Sequence, residues 1–274
     1  MKDLVMDVKS VFRRRKKDFL APHVIILTMV SVVIVCANAY VMYAGDTYPY
    51  TDQGFKLFME TQILALYPIP FVTMCLLVPG LITIPWVKRR KARQDWLYMT
   101  RLGSRRNRRD ESMVAAVTSG AYALIVHVSA IIFLMMCGCP FQCLPMEEVY
   151  EDATRYFCLN QALNLMIYII FSAPGFALFA VLIDDLCASV KHTVLIRVMG
   201  LFLGIGMYVI PCLAQVYLPR MICEIAIMPS LLMPSGMRLI SELPPLMDFV
   251  GVVIFYTAVD KGLVKIQKHR QTQS

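Results

Sequence analysis

Residues 20–43 read LAPHVIILTMVSVVIVCANAYVMY, directly behind the basic run Arg13-Arg14-Arg15-Lys16-Lys17. The stretch contains no Asp, Glu, Lys or Arg. A hydrocarbon core ~30 Å thick needs about 20 such residues in a helix rising ~1.5 Å per residue. Lipid offers the backbone no hydrogen-bond partners, so a spanning segment of this kind is a helix. Ala37-Asn38-Ala39 has the form of a signal-cleavage site. The apolar run is longer than a signal core and continues through Tyr43, so it reads as a span.

Working outward, the same pattern recurs at Ile63 to Trp86, Met113 to Cys137, Phe157 to Ile183 and Val194 to Tyr217. A sixth run, Leu246 to Val259, extends to Val264. Apolar residues make up 58% of the 274, against about 45–50% in a soluble domain. Alternating segments of about 10 residues are lacking, which argues against a transmembrane β-barrel. The expected fold is an all-α membrane protein. It has six transmembrane helices over 20–264, an N-terminal amphipathic interfacial helix over 1–19, and a tail over 265–274.

Charge orients this arrangement. In a six-span layout, 23 of the 27 Lys and Arg residues fall on one side, and only Lys56, Arg155, Arg220 and Arg238 on the other. That is the positive-inside bias, placing both termini and the 87–112 loop in the cytoplasm. It also accounts for the net charge of +8 without nucleic acid. At the N-terminus, Leu4, Val5, Val8, Val11 and Phe12 share one helical arc opposite Lys2, Lys9 and Arg13, as in a helix lying at the lipid surface. Pro22 suits a bend into the first span.

The second span carries Pro68, Pro70, Pro79 and Pro85, so it is expected to kink. Between the fifth and sixth spans, residues 218–245 are apolar but broken by Pro219, Pro229, Pro234, Pro244 and Pro245. Short helices, re-entrant or packed on the bundle, are the expected outcome.

Chemistry is sparse. The chain lacks G-x-x-x-x-G-K-[ST], H-E-x-x-H and G-x-S-x-G, so no P-loop, zincin or hydrolase elbow is expected, and no cofactor. Cys137, Cys139 and Cys143 cluster outside the third span. They read as thiols, as partners in a disulfide, or as part of a metal site that lacks a fourth ligand. Polar residues at membrane depth are candidates by their cost: His127, and Asn160, Gln161 and Asn164, which read as interhelical contacts. Asp248 reads as a helix-start carboxylate. Ionisable groups within the spans look too few for a proton relay.

The 87–112 loop holds Trp96-Leu97-Tyr98-Met99 inside a basic segment, an anchor-like patch for a partner's pocket or for the headgroup belt. The stretch Tyr98-Met99-Thr100-Arg101-Leu102-Gly103-Ser104-Arg105-Arg106 resembles a segment of exporter-type ABC transporter permeases of Gram-positive bacteria. The interfacial helix, six spans and broken apolar helices resemble the same family's layout. The chain departs from it in its further arginines, Arg108 and Arg109, and in its outer cysteines.

The resemblance implies a permease subunit in a bacterial cytoplasmic membrane, paired with itself or a similar permease. ATP would be bound and hydrolysed by a separate ABC ATPase subunit. That subunit would dock on Trp96, Tyr98, Arg101, Leu102, Gly103, Ser104, Arg105 and Arg106. The other expectations are a non-transporting immunity or sensory membrane protein and, less favoured, a membrane-embedded enzyme. Reporter fusions after Ser274 and within 100–110 are expected to read cytoplasmic, and one within 144–154 external. An external C-terminus breaks the six-span layout.

Overall fold

In a computed structural model the described residues are 11–13, 15–44, 54–61, 77–91, 104–143, 157–158, 160–190, 192–226, 231–232, 234 and 244–272. Among them every regular element is a helix. In chain order these are α1 (Pro22–Ala44), α2 (Gly54–Thr61), α3 (Val78–Lys91) and α4 (Ser104–Met136). They are followed by α5 (Gln161–Ser189), α6 (Thr193–Ala214), α7 (Arg220–Ala226) and α8 (Pro245–Thr272).

Three helical stretches are long and apolar enough to cross a membrane: Arg15–Ala44, Asn107–Met136 and Gln161–Ser189. They carry the first, third and fourth expected spans. Helices α3, α6 and α8 fall on the second, fifth and sixth, and residues 62–76 of the second lie outside the described residues. Ile25, Ile26, Met29 and Val33 of α1 are exposed, as are Phe202, Ile210 and Leu213 of α6. So much outward apolar surface is costly in water and is the natural outer face in lipid.

The chain breaks at residues 20–21, between a helical stretch ending at Phe19 and α1. Pro22 then takes the first helical position, where its missing N–H costs nothing. Residues 1–10 of the expected interfacial helix lie outside the described residues. Of its apolar arc, Val11 is buried and Phe12 exposed, the latter's ring centre 4.9 Å from that of Phe19 in a tilted pair.

The centre of the bundle is α4 against α5, with α1 on the other side of α4. Tyr122 of α4 donates to Ser31 Oγ of α1 at 2.7 Å, and Ser31 donates to Leu27 O one turn earlier at 2.8 Å, so both buried hydroxyls are paired. Pro174 interrupts the hydrogen-bond ladder of α5, and in that turn Ser172 Oγ donates to Ile169 O at 2.9 Å. Residues 54–61, expected in a loop, form α2, which buries Leu57 and Phe58 in the core. Gly54 N donates to Pro140 O at 2.7 Å, joining the start of α2 to the segment after α4.

The described residues of the broken 218–245 segment pack on the bundle. Helix α7 lies against α8, where Tyr256 donates to Ala226 O at 2.6 Å. Leu231 and Leu232 are fully buried over α5. Their approach needs Gly175, because a Cβ there would sit 1.9 Å from Leu231 O. Helix α8 runs on to Thr272, so most of the expected tail is helical.

Gly175→Ala is expected to lower stability by about 2 kcal/mol, since the blocking atom is backbone and the segment must lift. Gly206→Ala on α6, with nothing nearer than Ile210 Cδ1 at 3.8 Å, is expected to cost nothing. Thermal unfolding of both variants in detergent checks the pair.

Candidate functional site at the charged end of the bundle

Asp184 and Asp185 are adjacent at the end of α5, just past its apolar run, and both are buried. The facing helix is α4, which starts at Ser104, so 104–112 of the expected loop already belong to the helix of the third span. That start points Arg108 at the two carboxylates. Its guanidinium lies 3.3 Å from Asp184 Oδ2, pairs with Asp185, and lies 3.8 Å from Glu111 Oε2. A cation here also faces the C-terminus of α5, where the helix dipole favours it.

Trp86, near the end of α3, donates Nε1–H to Asp184 Oδ1 at 2.6 Å, and Ser112 Oγ donates to Asp184 Oδ2 at 3.1 Å. The Arg108 guanidinium lies 5.4 Å from the centre of the Trp86 ring, within cation–π range. Asp260 of α8 adds a further carboxylate beside Asp185.

A second cation completes the arrangement. Arg15, in the helical turns before α1, is 4% exposed. It donates to Asn107 Oδ1 and to Asp18 Oδ2 at 3.2 Å, and lies 3.9 Å from Glu111 Oε1. Asn107 Nδ2 donates to Glu111 Oε1 at 3.1 Å, so α4 holds both arginines in one network. The N-terminal turns, α3, α4, α5 and α8 thus meet in a single ion-pair cluster. Buried charges persist only when paired, and both arginines here lie among carboxylates. The arrangement fastens helix ends together. Among the described residues no group of His, Cys, Asp and Glu is placed to hold a metal ion.

Of the expected docking residues, Trp96, Tyr98, Arg101, Leu102 and Gly103 lie outside the described residues. Ser104, Arg105 and Arg106 open α4, one turn before Arg108. Cys137 is half-buried, Cys139 buried and Cys143 exposed, all three as thiols.

His127 is core. Its Nδ1 lies 2.7 Å from Ala123 O, and the rings of Tyr168, Phe58 and Phe176 stand edge-on at 5.5, 6.0 and 6.3 Å. Asn160 and Asn164 serve backbone groups instead of neighbouring helices. Asn160 is the N-cap of α5, accepting from Leu163 N at 3.0 Å. Asn164 Oδ1 accepts from Phe157 N at 2.9 Å. Asp248 sits in the first turn of α8, as its position implies.

Sequence reasoning counted Arg108 among the basic loop residues and did not single out the Asp184-Asp185 pair. Their signal was an acidic pair at the end of a span on the side otherwise rich in Lys and Arg. No protein-family model, curated protein or solved structure matches this chain.

Arg108→Met is expected to destabilise the protein by about 3 kcal/mol, because it strands two buried carboxylates. Adding Asp184→Asn and Asp185→Asn is expected to recover part of that loss. Arg197→Gln, an exposed change on α6, is expected to stay within about 0.5 kcal/mol of the parent. Chemical denaturation in mixed micelles, followed by circular dichroism, reads all three.

Proposed function

We propose that this chain is the transmembrane permease subunit of an ATP-driven exporter, with hydrolysis supplied by a separate ABC ATPase. It sits in a bacterial cytoplasmic membrane with six spans, both termini inside, and residues 1–19 as an interfacial helix. Two copies, or this chain and a similar permease, enclose the path.

The observation that carries the reading is the continuity of α4. The helix begins at Ser104, inside the segment that resembles the ATPase-docking stretch, and runs unbroken for 33 residues to Met136. At about 1.5 Å per residue it is close to 50 Å long, well beyond a ~30 Å hydrocarbon core. Its projecting end therefore works as a lever. Arg108 and Asn107 tie the base of that lever to α5 and to the N-terminal turns. A push on residues 104–106, the first turn of α4, would reach the bundle as a displacement of the whole helix. Allosteric drive of this kind requires a packed element with discrete positions, which interlocked helices provide.

The Trp96→Ala, Arg101→Glu, Leu102→Asp triple variant is expected to insert normally but to lose its ATPase. Anchors of this type can each cost about 2 kcal/mol or more when removed. Co-purification at matched expression is the measurement. Undiminished ATPase recovery with the variant removes the loop from coupling. Absence of any ATPase with the parent protein favours an immunity or sensory role.

A further inference from the structure

Beside the ion-pair cluster, between the N-terminal turns, α1, α3 and α4, lies a cavity of about 230 Å³. It is half again the ~150 Å³ of an engineered cavity that takes benzene. We propose that this cavity binds an anionic glycerophospholipid, with the phosphate at Lys88, an ester carbonyl at Thr118 and the acyl chains running out along α1. This goes beyond the transport reading and does not depend on it.

Three observations define the ligand. The first is an unmet hydrogen bond. Thr118 lines the cavity and is only 7% exposed, yet among the described residues its Oγ1 has no hydrogen-bond partner. A buried hydroxyl without a partner is costly, so the occupant must offer one there.

The second is the charge that remains after internal pairing. The carboxylates in the lining are engaged: Asp18 by Arg15, Glu111 by Asn107 and Arg15, and Asp184 by Trp86 and Ser112. Lys88, at the rim, is exposed and makes no ion pair among the described residues. Lys88 is thus the cation at the mouth left to meet a phosphate, and lysines near the membrane surface attract anionic headgroups.

The third is the apolar path. Leu81, Ile82, Val114 and Ala115 line the interior. Immediately beyond the lining residues His23 and Val24, Ile25 and Ile26 face outward and are more than half exposed. A molecule with a phosphate, a carbonyl one step deeper and alkyl chains directed sideways matches all three features. A free phosphate matches only the first contact at the rim.

Trp86 lines the cavity, and the chain has only two tryptophans, so Trp96→Phe leaves one reporter. The protein is placed in phosphatidylcholine nanodiscs, and phosphatidylglycerol with brominated acyl chains is titrated in. Brominated phosphatidylcholine is titrated in parallel. Quenching of Trp86 is expected at about fivefold lower mole fraction of the anionic lipid, the factor one near-surface lysine contributes.

Lys88→Gln, an exposed change, is expected to erase that preference. Ala115→Leu, which fills the cavity, is expected to reduce quenching by both lipids. Thr118→Val is expected to weaken both about threefold, as loss of one hydrogen bond does. Unlabelled phosphatidylglycerol restores the fluorescence, and 10-fold more inorganic phosphate does not.

Equal quenching by the two lipids overturns the proposal, as does a preference that survives Lys88→Gln. Recovery with inorganic phosphate would assign the site to a free anion instead. No quenching in the parent would mean that the chain's own residues close the cavity.

Discussion

The Arg108 bridge to Asp184 and Asp185 is the constraint on which the rest of the bundle depends. Two adjacent carboxylates at the end of a long apolar helix cannot be buried without a cation, and the nearest available one is on α4. Meeting that requirement sets the height of α4 against α5. Once that height is set, Ser112 reaches Asp184 and Trp86 of α3 closes over the guanidinium. The large α4–α5 contact further along then follows without strain, with Gly120 close to Ala173 O at the crossing.

The two ends of the bundle are held by different physics. At the charged end, direction-specific ion pairs and hydrogen bonds place five segments relative to one another. Toward the other end the work is done by rings and small residues. Phe58, His127, Tyr168 and Phe176 pack edge to face, and Gly175 lets Leu231 and Leu232 approach the backbone of α5. Edge-to-face packing tolerates small shifts that an ion pair does not.

The cavity follows from the same cluster. Arg15 is drawn toward Asn107 and Glu111, which pulls the N-terminal turns across the base of α4 and leaves a break at residues 20–21 before α1. The space under that break is walled by α3 and α4. Its lining is polar where the cluster lies and apolar where the helices enter the lipid depth, and an interfacial ligand has that same polarity.

The positions of the helices were legible in the sequence, because burial in lipid is a property of each segment alone. Residues 20–43, 113–137 and 157–183 are uninterrupted apolar runs, and each became a long helix. The prolines of 218–245 announced a segment too broken to span, and its described residues include the short helix α7 and the buried Leu231 and Leu232. Partner choice was not legible. Helices α1 and α5 are apolar on nearly every side, so no stripe in the sequence says which face turns inward. Arg108 and Asp185 are 77 positions apart, Trp86 and Asp184 98, and Arg15 and Asn107 92. Whether such residues meet depends on helix order and rotation within the bundle, and only the tertiary structure decides that, because a charge's partner is a matter of distance in space and not along the chain.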